Sequence, residues 1–291
     1  LVKRILKWVD STVFPLFRSD ARYHWFAKVV LASVLFVLLF GAYIHESHRR
    51  EELAAVNSEY ESEAKMMPTP GKILEAFKRV AFEDDRRTGE KVLWTDTLAS
   101  GKRFLIAMVF IFGGILLGLY MGVFPWMESL FYFFMIFFDK INPLPAVVLL
   151  FILFGTGEEA KIAVMVIATL PTVCLDVYNR VKSIPSQLLD KARTFDASQN
   201  EIALRVALPA VLPHALNTIR LNLKMVVSLL LAAEMISADV GLGYRIKLVQ
   251  RFMGVDIILV YLLWIVVLFA IIDLGLGLFI RRRFRWLNQK P

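Results

Sequence analysis

Apolar residues in this chain come in runs too long for the one-sided stripe of a surface helix. Phe26 to Ile44 carries one charge, Lys28, and Phe104 to Met127 carries none. A third run extends from Trp126 to Phe154, broken by Asp139-Lys140 and by Asn142-Pro143-Leu144-Pro145. Further runs cover Ala160 to Tyr178, His214 to Ile236 and Ile257 to Ile280. A hydrocarbon core about 30 Å thick needs roughly 20 apolar residues as a helix, so the pattern predicts six transmembrane helices. The third can also be read as two half-membrane pieces.

Between the runs the pattern changes. In residues 1–17, Val2, Ile5, Leu6, Val9, Val13, Leu16 and Phe17 recur at helical spacing among Lys3, Arg4, Lys7 and Asp10. Residues 1–25 therefore read as an amphipathic arm on the membrane surface, with a poorly ordered arm as the alternative. The first run, 26–44, is span-length, and Gly41-Ala42-Tyr43-Ile44-His45 is a poor cleavage site, which favours a span over a signal peptide. The chain opens on Leu1, so the native start is left open. Segment 45–100 begins with a charged helical stretch, Glu46 to Lys65, broken at Pro68-Thr69-Pro70-Gly71. A short amphipathic helix follows at Ile73 to Val80, then a loop at Glu83 to Glu90.

Composition narrows the class. Of 291 residues, 57% are hydrophobic and 21% charged, with a mean hydropathy of +0.59. A soluble domain is usually about 45–50% apolar and about a quarter charged. The fold class is an all-α integral membrane protein. One cysteine, Cys174, excludes a disulfide framework. His24, His45, His48 and His214 show no metal-ligand spacing. The net charge of +8 is accounted for by position, and nucleic acid is not needed as a partner. Lys3, Arg4, Lys7, Arg18 and Arg22 precede the first span. Arg180, Lys182, Lys191, Arg193 and Arg205 lie between the fourth and fifth, and Arg281-Arg282-Arg283-Phe284-Arg285 follows the sixth. Six spans place all three groups on one side, which the positive-inside rule makes the cytoplasm. Both termini are then cytoplasmic and 45–100 lies outside.

The segment between the fourth and fifth spans is the most informative. Pro185 suits the first turn of a helix that runs to Phe195. Asp196 falls where the chain must turn, and Asp tolerates the left-handed conformation better than most residues. Ser198 and Glu201 have capping-box spacing, so a second helix starts at Gln199. Leu208-Pro209 and Pro213 are expected to end it before span five. Residues 183–209 thus read as a two-helix elbow, a rigid surface for a soluble partner.

This elbow resembles the EAA loop of ABC-importer permeases. Asp190-Lys191-Ala192 stands in for Glu-Ala-Ala, Asp196 for the glycine that follows, and Leu208-Pro209 matches the ending. Further pieces resemble the nitrate, taurine, sulfonate and bicarbonate subgroup: Met67-Pro68-Thr69-Pro70, Asn142-Pro143-Leu144-Pro145, Leu153-Phe154-Gly155-Thr156-Gly157, and Ala233-Glu234-Met235 before Gly241-Leu242-Gly243-Tyr244. The likeness covers about residues 66–287. It implies a type I permease fold, six spans with a five-helix core within 101–287, in a bacterial inner membrane. It also implies a second permease copy (a homodimer), an extracytoplasmic substrate-binding protein, and a cytoplasmic ABC ATPase dimer bound to the elbow. Asp190, Ala192, Asp196, Ala197, Ser198, Glu201 and Pro209 are the implied coupling residues. The chain has no G-x-x-x-x-G-K-[ST] phosphate loop, so no cofactor is expected in it, ATP and Mg belong to the partner, and it is not an enzyme. The implied cargo is a small anion.

Charges inside a bilayer are costly and mark a pathway or a partner. Asp139, Lys140, Asn142, Lys224 and Glu234 are the candidate pathway residues. Lys140 either attracts an anion inward or closes with Asp139 on a neighbouring span. Arg220 reads as snorkelling to the membrane surface, and Lys224 less so. Glu234 is expected to bond backbone groups of the Gly241–Tyr244 loop, and Asp273 to pair with another span. Ser228 and Thr218 are expected to bond carbonyls of their own helix, Cys174 to be packed, and Phe131-Tyr132-Phe133-Phe134 to face lipid. The competing reading is an ion-gradient-driven secondary transporter, which predicts broken helices in matching halves. Only one proline break is visible. A membrane enzyme would need a catalytic constellation within the spans, and none is evident.

Overall fold

The computed structural model describes residues 25–56, 60, 65–84 and 89–284. The predicted arm at 1–24, most of 57–64, the loop residues 85–88 and the basic tail from 285 lie outside the described residues. The chain divides into two compact units, 1–70 and 71–291. In the first, α1 (Trp25–Val56) carries the first apolar run and continues through the predicted charged stretch. The chain then returns along it: the Tyr43 hydroxyl donates to the Pro68 carbonyl at 2.7 Å and Ser47 to that of Met67 at 3.0 Å.

Helices are the regular structure of the second unit's described residues. It comprises α2 (Pro70–Phe82), α3 (Val92–Val123), α4 (Pro125–Asp139), α5 (Pro143–Phe154), α6 (Glu158–Lys182), α7 (Ser186–Thr194), α8 (Gln199–Ser237), α9 (Leu242–Gln250) and α10 (Val255–Arg283). By length and apolar composition α1, α3, α6 and α10 can each cross a membrane, and the count rises to six if the bent pairs α4–α5 (108°) and α8–α9 (54°) each make one span. The α8–α9 bend is a second break that the prolines did not announce.

The core sits between α3, α6 and α8, where Ile111, Ile115, Leu119, Val164, Val173, Val177, Ile219, Leu223 and Val226 are buried together. Gly114, Gly118 and Gly122 let α3 and α6 approach. A Cβ on Gly114 would lie 3.2 Å from the Leu170 side chain, on Gly118 2.9 Å from Val177, and on Gly122 2.5 Å from Val181. Small residues four apart are the usual means of close helix contact in membranes, where no hydrophobic force draws helices together. Cys174 is fully buried beside Met121, as expected.

Two sets of contacts fix the direction of each helix. The Arg103 guanidinium (α3) bridges Glu158 at the start of α6 and Glu234 near the end of α8, which defines one end of the unit. At the other, the elbow end, Glu128 of α4 accepts from Tyr178 at 2.5 Å and from Lys182 at 2.7 Å. Phe154 at the end of α5 lines a hollow with Ile106, Phe110 and Glu159 toward the Arg103 end. The α4–α5 pair therefore runs from one end to the other around its 108° bend.

One expectation is corrected. Pro209 and Pro213 do not end the helix that begins at Gln199; it continues to Ser237. A proline inside an α-helix has no N–H to donate and its ring crowds the carbonyl four residues back. For Pro209 that carbonyl belongs to Arg205, inside a π-helical turn over Ile202–Ala207. The wider turn takes the ring without breaking the helix, as π-bulges do elsewhere.

Candidate functional site

The elbow is built from two local caps. At the end of α7, the Asp196 N–H donates to the Arg193 carbonyl at 3.0 Å and the Ala197 N–H to that of Ala192 at 3.2 Å. Asp196 sits at φ 54°. This is the Schellman closure, whose left-handed position usually goes to glycine; Asp196 holds it here, as the sequence anticipated. Two residues on, the capping box is complete: the Ser198 hydroxyl accepts from the Glu201 N–H at 3.3 Å, and the Ser198 N–H donates to the Glu201 carboxylate at 3.0 Å. Thr194 donates to the Lys191 carbonyl at 2.7 Å.

The backbone is thus closed while the side chains stay out. No residue of α7 is buried. Phe195 is 86% exposed at the apex, with Leu188 and Leu204 also exposed. Asp190 pairs with Arg193, at 3.1 Å and largely in solvent, and Glu201 with Arg205 at 3.3 Å. Ile202, Ala203 and Ala207 anchor the π turn in the interior. Pro209 is exposed beside Ala210, Arg283 and Phe284, bringing the end of α10 to the elbow end.

The candidate pathway residues separate. Glu234 is fully buried and saturated, accepting from Ser100 at 2.7 Å, Arg103 at 2.7 Å and the Gly243 N–H at 2.9 Å. The predicted bond to the Gly241–Tyr244 loop is present. Asn142 caps α5, accepting from the Leu144 N–H at 3.2 Å. Asp139 accepts from Thr172 of α6 at 2.8 Å, with Lys140 3.6 Å away and 78% exposed. Lys224 is exposed on α8 with no side-chain partner among the described residues. Arg220 does not snorkel: it makes two bonds to Asp273 of α10, at 2.6 and 2.7 Å, against Gly277. The fork of a guanidinium matches a carboxylate, which also answers for the lone acid of span six. Thr218 likewise departs from expectation, donating to Asp176 of α6 at 2.7 Å. Ser228 donates to the Lys224 carbonyl in its own helix at 2.8 Å. The aromatic run divides, Phe133 and Phe134 exposed, Tyr132 against the Tyr178 ring.

The sequence reading missed a polar network at the Arg103 end. Asp96, with no exposure, accepts from the Gly241 N–H at 3.0 Å, Arg245 at 2.9 Å and the Tyr261 hydroxyl at 2.8 Å. Ser100 accepts from the Leu242 N–H at 2.9 Å while donating to Glu234. Arg103 donates to Glu158 and the Val240 carbonyl, and Lys161 to Glu158 at 2.8 Å. The buried acids Asp96 and Glu234 are matched by the buried bases Arg103 and Lys161, with Glu158 and Arg245 completing the pairs from more exposed positions. Gly241, at φ 141°, leaves no room for a side chain: a Cβ would lie 2.7 Å from the Glu234 carboxyl carbon and 2.8 Å from Arg103. The missed signal was the spacing of Asp96, Ser100 and Arg103, which places them on one face of a helix.

Long apolar helices joined by buried ion pairs define a multi-pass membrane protein. The chain belongs to the family of binding-protein-dependent transport system inner membrane components, whose sequence model matches residues 114–289. It is 28% identical over 221 residues to the taurine transport system permease protein TauC of Escherichia coli, an overlap covering 76% of this chain and 80% of that protein. It is 29% identical over 213 residues to the bicarbonate transport system permease protein CmpB of Synechococcus elongatus, covering 70% and 72%. A probable ABC transporter permease protein of Brucella melitensis is 32% identical over 162 residues, covering 56% and 63%. The chain is accordingly the inner-membrane permease component of an ABC-type importer, working with an ATPase subunit and a substrate-binding protein and not itself an enzyme.

Proposed function

We propose that this permease spans the membrane six times, by α1, α3, the α4–α5 pair, α6, α8 and α10, with the last five as a type I core. The cytoplasm lies at the elbow end, where the basic residues 180–205 and 281–283 gather, and two copies form the pathway. The cargo is a small anion, in keeping with the taurine and bicarbonate relatives. The cytoplasmic ATPase dimer grips the elbow at Asp190, Ala192, Asp196, Ala197, Ser198, Glu201 and Pro209. Lys140 and Lys224 face the pathway, with Asp139 holding Lys140, while Asn142 and Glu234 brace it. The observation that carries this reading is the elbow: a backbone closed by its own caps that leaves nearly every side chain to solvent.

Purification in mild detergent from cells at native expression, with mass spectrometry, tests it. An ATPase should accompany the wild-type chain at equal stoichiometry and be lost from Ser198→Trp, which remains inserted. Asp190→Arg should retain the fold and lose ATP-driven uptake. A chain that purifies alone and transports on an ion gradient would establish the secondary-transporter alternative, whereas wild-type uptake by both variants would overturn the elbow assignment alone.

A further inference from the structure

The helices of the second unit differ in what they expose. The exposed residues of α10 from Leu262 to Phe279 are all apolar, and so are those of α3 between Leu105 and Leu116 and of α5. Such faces suit lipid. On α8, the exposed residues between Val211 and Met235 are Asn217, Leu221, Lys224 and Ser228. Their spacing of four, three and four puts them on one stripe of the helix, opposite the buried Ile219, Leu223 and Val226. The stripe lies deep: about 22 Å of helix separates Pro209 from Lys224 along the chain, and about 15 Å separates Lys224 from Glu234. A lysine facing hydrocarbon there is costly, and nothing among the described residues neutralises it.

Depth links this stripe to the break between α4 and α5. Thr218 bonds Asp176, and Thr172, one turn nearer the Arg103 end of α6, bonds Asp139. Lys224 lies about 9 Å beyond Thr218 in the same direction, and Thr172 about 6 Å beyond Asp176. Lys140 and Lys224 therefore stand within about one helical turn of each other in depth, both exposed.

We propose that the Asn217–Leu221–Lys224–Ser228 stripe is a wall of the water-filled pathway and that Lys224 is its mid-membrane countercharge, selecting anions as they pass. This rests on the anion-importer reading above. Lys224 is the specificity-determining group. Ser228, whose proton is spent on the Lys224 carbonyl, supplies polar wall rather than an anion donor. A second copy of the chain closes the opposite side.

The test uses the chain co-expressed with its ATPase in membrane vesicles, in a Cys174→Ala background with no other thiol in this chain. Ser228→Cys and Asn217→Cys should react with the membrane-impermeant anionic reagent ethylsulfonate methanethiosulfonate, whereas Leu263→Cys and Val266→Cys on α10 should not. Adding Lys224→Met to Ser228→Cys should lower the ratio of anionic to trimethylammonium reagent rates about tenfold or more, since a unit charge one turn away acts on both with opposite sign. Lys224→Arg should restore the ratio. If positions 217 and 228 are as silent as 263 while the ATPase still co-purifies, the wall is overturned and the importer reading stands. An unchanged ratio in Lys224→Met overturns the countercharge. Absence of the ATPase from the wild-type chain is the separate result that strikes the importer reading itself.

Discussion

The two ends of the helical unit are made in opposite ways. At the Arg103 end, Asp96, Ser100, Arg103 and Glu234 are buried and bonded to three other helices and to the backbone of Gly241, Leu242 and Gly243. At the elbow end the same chain closes its backbone with a Schellman turn and a capping box and leaves Asp190, Phe195 and Asp196 in solvent. One end spends its side chains on itself; the other keeps them for something else. Both ends close their backbone hydrogen bonds, so the difference between them is the availability of side chains.

The comparison can be broken by mutation. Glu234→Ala should have the largest effect on stability, about 3–5 kcal/mol, because it takes the buried carboxylate from Arg103, Ser100 and the Gly243 N–H at once. Thermal unfolding in detergent would show it, and a loss under 1 kcal/mol would mean the network is ornamental. Gly241→Ala comes next, at about 2–3 kcal/mol, from its positive φ and its clash with Glu234. Ser198→Ala at the elbow should cost about 1 kcal/mol through the lost cap. Asp196→Gly should stabilise by about 0.5–1 kcal/mol, since glycine takes the left-handed region freely; destabilisation would show that the Asp196 side chain holds the turn. Smallest of all, Asp190→Asn should change unfolding by less than about 0.5 kcal/mol, the Asp190–Arg193 pair being exposed, while weakening ATPase retention. A variant that is thermally silent yet fails to hold its partner sharpens the contrast most.

What could be foreseen from the sequence follows the range of the interactions. Ser198 and Glu201 are three residues apart, and the cap of α7 closes within six, so both were visible as spacing. The long apolar runs were visible because a helix that crosses hydrocarbon must be apolar along its whole length. Asp96 meets Arg245 and Tyr261, and Arg103 meets Glu158 and Glu234, across more than fifty residues of chain; no local pattern announces such partners. Arg220 and Asp273 were each noticed, but not as a pair. The prolines misled for a different reason. The rule that stops a helix at Pro209 assumes an α turn before it, and the turn here is wider.

That wider turn has a mechanical meaning. The residue held in the π turn at Ile202–Ala207 is one more than an α-helix of the same rise would contain, and α8 continues from it without interruption past Lys224. Straightening the turn, at a cost of about 3 kcal/mol for the Pro209 ring against the Arg205 carbonyl, would wind everything beyond it by about 100° and advance it by about 1.5 Å, one residue's worth of helix. Such a screw motion would swing Lys224 off its present heading and bring a neighbouring face of α8 round to replace it. On the reading proposed above, the elbow would be the handle of a key whose bit is Lys224. Spin labels at Gln199 and Ser228, compared between nucleotide-free and nucleotide-bound transporter, would register the turn, and an unchanged distance distribution would show the shaft to be fixed.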